Sequence, residues 1–216
     1  MMGVLRQTAE GLLDLIYPPV CLACRMQGAS YVCESCLAKI EPVAPPYCEV
    51  CGRTIVGAGC RNCLARSRSF AKARAAADYS GVMKDLVHEF KYHGARCLAD
   101  PLSRFMYDFA ERTSAVDLQK ADCLIPVPIH AIRKRIRGYN QSELLADGIS
   151  RLSGIPALRN VMTRRIYTRP QVELSREQRM TNMQAAFHAE RQGREGGLGL
   201  CGRRITQLTN GTAACA

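Results

Sequence analysis

Four Cys-x-x-Cys pairs near the start of the sequence constrain the fold more than any other feature. In chain order the pairs are Cys21 and Cys24, Cys33 and Cys36, Cys48 and Cys51, and Cys60 and Cys63. Eight residues separate the first pair from the second and the third from the fourth, so one arrangement occurs twice with a period of 27 residues. A Cys-x-x-Cys turn presents two sulfurs to one ion, and zinc prefers four tetrahedral ligands. The sequence therefore predicts two structural Zn²⁺ ions.

The spacing favours one ion within each repeat, with Cys21, Cys24, Cys33 and Cys36 as one set of ligands and Cys48, Cys51, Cys60 and Cys63 as the other. A crossed pairing of the four turns stays open at this point. Thiol redox chemistry is disfavoured, because a reactive Cys-x-x-Cys normally occurs singly beside a βαβ pattern. A segment this short has little apolar core of its own, so metal binding would supply much of its folding free energy.

The cysteine region divides the chain into three predicted parts. Residues 18–66 are the double zinc ribbon, and residues 72–216 form a larger domain. Residues 1–17 are predicted to be an amphipathic helix that ends at Pro18 and Pro19, since proline cannot continue a helix. No run of about 18 apolar residues occurs, so no membrane insertion is expected. Charged residues within the first 17 argue against a signal peptide, and clustered thiols fit the reducing cytoplasm.

The net charge of +11 indicates an anionic partner such as nucleic acid, a nucleotide or a phosphorylated sugar. The positive charge is concentrated in residues 131–179, which contain eleven basic and four acidic side chains. Eight zinc-bound thiolates would lower the total without changing this distribution.

The central stretch from Ala121 to Ser150 begins with an apolar run, Cys123 to Ile129, that is short enough for a buried strand. A basic cluster follows as a predicted polar loop, and Gly138 permits a turn into a helix that begins at Gln141. Ligands of open α/β sheets bind at the carboxyl ends of strands, and guanidinium groups suit phosphates. A solvated surface loop is the alternative reading of the basic cluster. A second strand is predicted over residues 157–162.

The order of motifs resembles the ComF family. Three motifs follow the cysteine ribbon in the sequence. They are FKYHG at Phe90–Gly94, then IPVPIHAIRKRIRGYNQSELLA, and then TRPQVELSREQRMTNMQAAF, which ends at Phe187. The similarity extends over roughly residues 12–187. It implies an α/β fold class, with a small N-terminal double zinc ribbon followed by a doubly wound sheet of the type I phosphoribosyltransferase kind. The family is implicated in handling incoming single-stranded DNA during transformation, or in using DNA as a nutrient.

The resemblance also implies a site for phosphoribosyl pyrophosphate with Mg²⁺, and single-stranded DNA and a DNA-uptake helicase as partners. The substrate-binding positions that it implies are Arg133, Arg135, Arg137, Thr168, Gln171, Arg179, Thr209, Gly211 and Thr212. The arginines would contact pyrophosphate, and the segment from Thr168 to Arg179 would close over the ligand. Mg²⁺ and arginines would stabilise the charge that develops on the leaving group while the closed loop excludes water.

The sequence departs from the family pattern after Phe187. Two adjacent acids should precede a Thr-Thr-Gly turn there, but no acid follows Glu195, although Leu208 to Thr212 echoes the turn. Those acids would hold the ribose hydroxyls, and hydrogen bonds to charged groups contribute about 1.5–3 kcal/mol each. We therefore expect a C-terminally incomplete sheet and little transferase activity. A non-catalytic protein that binds nucleic acid or a partner, and an inactive fragment, are the alternatives.

Overall fold

The structure is a computed structural model that describes residues 18–55, 57, 59–64, 70–113, 116–167, 187–189, 205–209 and 212–215. Its helices are α1 (Glu34–Leu37), α2 (Arg61–Leu64), α3 (Gly81–Tyr92), α4 (Ala99–Thr113), α5 (Ala131–Arg137) and α6 (Gln141–Ser153). Its strands are β1 (Lys72–Ala75), β2 (Cys123–Pro126), β3 (Met162–Arg164), β4 (Phe187–Ala189), β5 (Ile205–Thr209) and β6 (Thr212–Cys215). The helix predicted for residues 1–17 lies outside the described residues.

Four strands form a mixed sheet in the order β1-β6-β5-β2. β2 runs parallel to β5, whereas β6 runs antiparallel to both β5 and β1. Only two residues connect β5 to β6, and a connection this short requires antiparallel pairing. β3 and β4 form a separate antiparallel pair. The mixed α/β architecture is confirmed, and the parallel β2–β5 pair is compatible with a phosphoribosyltransferase-like sheet.

The three long helices are amphipathic; α6 packs on β2, and α4 packs against α6. α3 buries Met83, Leu86, Val87 and Phe90, the face that the 3.6-residue period predicts. α4 and α6 cross closely at Gly148, where a Cβ would lie 2.1 Å from the hydroxyl oxygen of Ser103. None of the helices in the described part of the chain is long and apolar enough to cross a bilayer.

The first cysteine repeat shares a hydrophobic core with the α/β part of the chain. From the repeat this core contains Cys21, Val32, Cys36 and Ile40, all at most 5 % exposed. From the helices it contains, among others, Leu86, Phe90, Leu98, Leu102 and Leu145. The first repeat is therefore packed onto the α/β part of the chain, because two of its metal ligands, Cys21 and Cys36, are themselves part of that core.

Two predictions about local structure were wrong. The basic cluster is a helix, α5, rather than a loop, and His130 caps it by accepting a hydrogen bond from the amide of Ile132. Residues 157–162 do not form a strand of that length. Only Ala157 forms a bridge to Leu124, and Asn160 has a φ of +65°, which ends the extended conformation before β3 begins at Met162.

Candidate metal sites and cation cavity

The first metal site consists of Cys21, Cys24, Cys33 and Cys36. Their four sulfurs lie within 4.8 Å of one another, and Cys24 Sγ is 3.8 Å from Cys33 Sγ. A tetrahedron with Zn–S bonds of about 2.3 Å has sulfur–sulfur edges of about 3.8 Å, whereas a disulfide bond is about 2.05 Å long. The four thiols are therefore arranged as the ligands of one tetrahedral ion.

The second metal site consists of Cys48, Cys51, Cys60 and Cys63, whose sulfurs also lie within 4.8 Å of one another. Two of its sulfur–sulfur distances are 3.8 Å and 3.5 Å, from Cys48 to Cys63 and from Cys51 to Cys60. The structure thus groups the cysteines within each repeat, not across the repeats. Two sets of four thiol donors fit two structural zinc ions.

The thiols of the first site differ in acidity. Burial alone would raise the pKa of Cys21, but hydrogen bonds from the backbone N–H groups of Cys24, Cys33 and Ala23 lower that pKa to about 6. Burial and the neighbouring thiols raise the pKa of Cys36 to about 12. At neutral pH the free site thus holds at least one thiolate and one thiol, and a metal ion must displace the thiol proton when it binds.

The second site is attached to the edge strand β1. The guanidinium of Arg74, only 3 % exposed, donates to the carbonyl of Cys48 at 3.3 Å and to the carboxylate of Glu49 at 2.6 Å. The amide of Ala73 donates to the carbonyl of Val50 at 2.7 Å. Gly52 allows this close approach of the two segments, because a Cβ at this position would lie 2.5 Å from the carbonyl oxygen of Ala73. These contacts join the second repeat to the sheet mainly through its backbone.

The motif from Gly138 to Ser142 contains a network of buried polar side chains. Tyr139 Oη donates to the carbonyl of Phe90 at 2.6 Å, and Gln141 Nε2 donates to the same carbonyl at 3.3 Å. Asn140 accepts from the amide of Ser142, which caps α6, and donates to the carbonyl of Val127. Tyr139, Asn140 and Gln141 thus connect the end of α3, the residue that follows β2 and the start of α6.

Gly138 makes the connection between α5 and α6 possible. Its φ is +77°, and a Cβ would lie 2.7 Å from a guanidinium nitrogen of Arg96. That guanidinium donates to the carbonyl of Gly138 and stacks over the Tyr139 ring, with Cζ 4.9 Å from the ring centroid. The glycine therefore serves both the left-handed turn and the close approach of Arg96.

A cavity of about 290 Å³ lies between the end of α3 and α5. Its lining consists of Lys91, Tyr92, Gly94, Arg133, Ile136, Arg137 and Tyr167. We call it the cation cavity, because three of its residues are basic and no described residue of its lining is acidic. The structure brings the predicted residues Arg133 and Arg137 together here. Arg135 is exposed and is not part of the lining.

The positive charges of the cation cavity repel one another. Burial lowers the pKa of Lys91, and the nearby charge of Arg137 lowers it further. Burial also lowers the pKa of Arg137, and Arg133 contributes in the same direction. Tyrosine rings partly compensate: the guanidinium of Arg137 lies over Tyr92 at 5.3 Å and that of Arg133 over Tyr167 at 5.4 Å. Excess positive charge beside aromatic rings favours an anionic ligand.

Lys91, Tyr92 and Tyr167 were not among the residues predicted from the sequence. Lys91 and Tyr92 belong to the FKYHG motif, so the signal was present, but nothing local indicated that α3 would lie beside the basic helix. Thr168, Gln171, Arg179 and Gly211 lie outside the described residues. Thr209 and Thr212 are paired across the β5–β6 ladder, and the structure describes only their backbone.

Comparison with known proteins supports the assignment of the two cysteine sites to a double zinc ribbon. A family model described as a double zinc ribbon domain matches residues 12–68. The chain is similar to Competence protein F of Haemophilus influenzae, with 34 % identity over 122 residues that cover 55 % of this chain and 52 % of the relative. It is similar to Competence protein ComFC of Bacillus subtilis, with 34 % identity over 86 residues, 40 % of this chain and 35 % of the relative.

A third relative is the DNA utilization protein YhgH of Escherichia coli K12, with 31 % identity over 115 residues, 53 % of this chain and 51 % of the relative. The chain thus spans about half or less of the length of these curated relatives. No solved structure matches it. The matched ribbon and the similarity to competence proteins support the resemblance to the ComF family that the motifs indicate, and residues 12–68 carry the double zinc ribbon.

Proposed function

We propose that the chain takes part in the uptake or use of DNA and that its cation cavity binds a ligand carrying more than one phosphate, with phosphoribosyl pyrophosphate as the principal candidate. The observation that carries the proposal is the convergence of Lys91, Arg133 and Arg137 on one cavity, beside the rings of Tyr92 and Tyr167. Three cations at short range cost electrostatic free energy unless an anion is present to compensate them.

The position of the cavity supports a sugar pyrophosphate. α5 follows directly after β2, so Arg133 and Arg137 lie beyond the carboxyl end of a strand that is paired in parallel with β5. Open α/β sheets bind their ligands at this end. Arginine can contact two oxygens of one phosphate, and Mg²⁺ would accompany the pyrophosphate of the ligand. We also propose a cytoplasmic location, because clustered zinc-binding thiols fit a reducing compartment.

Single-stranded nucleic acid is the second candidate, in line with the names of the relatives, and exposed tyrosines favour it. Tyr79, Tyr92 and Tyr167 are 50–61 % exposed, and each lies beside a lysine or arginine. Proteins that bind single strands combine a positive groove with aromatic side chains on which bases stack. A DNA-uptake helicase remains a proposed partner under either candidate.

The test is a titration of the zinc-loaded chain and of Arg137 variants with each ligand. We expect Arg137→Ala to weaken the binding of phosphoribosyl pyrophosphate with Mg²⁺ by roughly tenfold or more, as expected for a lost charged hydrogen bond. Arg137→Lys should recover only part of the affinity, because lysine keeps the charge but not the planar fork. Arg151→Ala removes the same charge from an exposed position of α6, where Arg151 pairs with Asp100 away from the cavity, and serves as the control.

Salt dependence separates the two candidates. Binding of an oligodeoxythymidylate should weaken steeply between 50 and 200 mM salt, because each phosphate contact releases condensed counterions. Binding of the small sugar pyrophosphate should weaken much less. If neither ligand binds while circular dichroism shows a folded chain, the proposal is wrong.

A further inference from the structure

Arg25 has an unusual backbone conformation at the first metal site. It follows Cys24 directly, its amide donates to the carbonyl of Cys21, and its φ is +63°. The corresponding residue of the second repeat is Gly52, with a φ of +67°. Residues other than glycine, asparagine and aspartate rarely adopt this region, because their Cβ approaches the backbone too closely. Contacts of the Arg25 side chain would offset the free-energy cost of this backbone conformation.

The side chain of Arg25 reaches helix α3. Its guanidinium donates to Oε1 of Glu89, which is only 13 % exposed, and Oε2 of Glu89 lies 3.1 Å from Nδ1 of His93. Burial alone would raise the pKa of Glu89, but the hydrogen bonds from Arg25 and His93 lower it below its ordinary value. The partly buried carboxylate of Glu89 thus connects the metal-binding turn to the end of α3.

The end of α3 is also a wall of the cation cavity. The carbonyl of Glu89 accepts from the amides of His93 and Ala95, which fixes the turn in which the helix ends. Lys91, Tyr92 and Gly94, which lie in this same turn, line the cavity. A change in the position of Glu89 would therefore move Lys91, Tyr92 and Gly94, the three lining residues of this turn.

We propose that Arg25 is a positioning residue, which ties the first metal site to the end of α3 and so sets the affinity of the cation cavity for anions. The affinity part of this proposal rests on the proposed function, whereas the positioning part does not. The second metal site lacks an equivalent: Gly52 has no side chain, and its repeat is attached to β1 instead. The two zinc sites therefore have different roles, and loading of the first is coupled to ligand binding.

Arg25→Gly is the decisive variant, because it introduces the residue that the second repeat uses at the same place. Glycine relieves the strain of the left-handed conformation, so the turn should still bind its metal. Two zinc ions per chain and an unchanged circular dichroism spectrum would establish that the fold is intact. Arg25→Lys keeps the charge that faces Glu89. Arg53→Ala removes one exposed positive charge near the second site and is the matched control.

Two measurements are made on the full zinc-loaded chain. In hydrogen exchange, the amides of His93 and Ala95 should exchange about two to five times faster in Arg25→Gly, the range expected for loss of a partly exposed ion pair. In calorimetric titration with inorganic pyrophosphate, the dissociation constant of Arg25→Gly should rise by a similar factor, about two- to fivefold. Arg25→Lys should fall between the wild type and Arg25→Gly, and Arg53→Ala should match the wild type.

The outcomes separate this inference from the proposed function. Unchanged exchange at His93 and Ala95 in Arg25→Gly overturns the inference, whatever the affinity for pyrophosphate. Equal dissociation constants for Arg25→Gly and Arg53→Ala overturn the coupling to the ligand. If the wild type binds no pyrophosphate but exchange at His93 and Ala95 still rises in Arg25→Gly, the proposed function fails and the positioning role of Arg25 stands.

Discussion

The hydroxyl of Tyr139 donates to the carbonyl of Phe90 at 2.6 Å and joins two residues that are 49 positions apart in the sequence. Phe90 lies in the last turn of α3, where four carbonyls have no partner within the helix. Tyr139 and Gln141 supply the missing donors from the segment between α5 and α6. This contact holds α5 beside α3, and the cation cavity lies between those two helices.

We expect Tyr139→Phe to lower the free energy of unfolding by about 1 kcal/mol, since it removes one hydrogen bond to a buried carbonyl that keeps a second donor in Gln141. Urea denaturation of the zinc-loaded chain measures the change. Tyr79→Phe, on a side chain that is 61 % exposed, should leave the midpoint unchanged. An equal effect of the two substitutions would show that the Tyr139 hydroxyl carries no structural role.

The crossing of α4 and α6 gives a second prediction. Gly148→Ala places a Cβ 2.1 Å from Ser103 Oγ and 2.5 Å from Ser103 Cβ, so the helices must separate. Overpacking of this kind destabilises by about 1–3 kcal/mol. Ser103→Gly in the same chain removes the clashing atoms and should recover part of the loss. Thermal unfolding of the two single variants and the double variant tests the coupling, and strictly additive effects would contradict it.

The two metal sites should differ in how strongly they stabilise the α/β part of the chain. Cys36 is 2 % exposed and packs in the same core as Leu86 and Phe90, so Cys36→Ser should lower the free energy of unfolding by roughly 2–4 kcal/mol. Cys63→Ser removes a ligand of the second site and should cost less than half as much. Circular dichroism melts, with zinc content measured for both variants, check the order, and the reverse order would refute it.

Zinc affinity of the first site should rise with pH. Cys36, with a pKa of about 12, is protonated throughout the neutral range, so metal binding must release its proton. Cys21, with a pKa of about 6, is a thiolate above that pH and a second protonated thiol below it. The logarithm of the affinity should therefore increase with pH up to alkaline values and fall more steeply below about pH 6. Competition with a chromophoric chelator across pH 5–9 measures the zinc affinity, and an affinity that does not change with pH would contradict this prediction.

Local patterns in the sequence predicted much of the fold. Ligand spacing favoured the observed grouping of cysteines, a helix beginning at Gln141 was predicted as α6, and the apolar residues of α3 and α4 recur at helical spacing. α5 was missed because it has no buried face: Ile132 and Ile136 are 46 % and 77 % exposed, so no apolar stripe marks the helix. The strand predicted for residues 157–162 failed because Asn160 turns the chain, and asparagine tolerates that conformation.

The candidate site was less predictable, because it depends on contacts between distant segments. Asn140, Gln141 and Ser142 are at most 3 % exposed, yet as polar residues beside a basic cluster they look like surface positions in the sequence. Their burial follows from partners such as the Phe90 carbonyl that only the fold supplies. Lys91 and Tyr92 join the cavity for the same reason. Arg133 and Arg137 were predicted because they follow a strand closely in the sequence, and their contact with a ligand stays a prediction.

The most direct test of the central claim is a calorimetric titration of the zinc-loaded chain with phosphoribosyl pyrophosphate and Mg²⁺, repeated with inorganic phosphate as a reference anion. The account predicts saturable binding with a micromolar dissociation constant, weaker binding of inorganic phosphate, and loss of the signal in Arg137→Ala. Absence of binding by a chain that contains two zinc ions and shows a native circular dichroism spectrum would contradict the claim that the cation cavity is a ligand site.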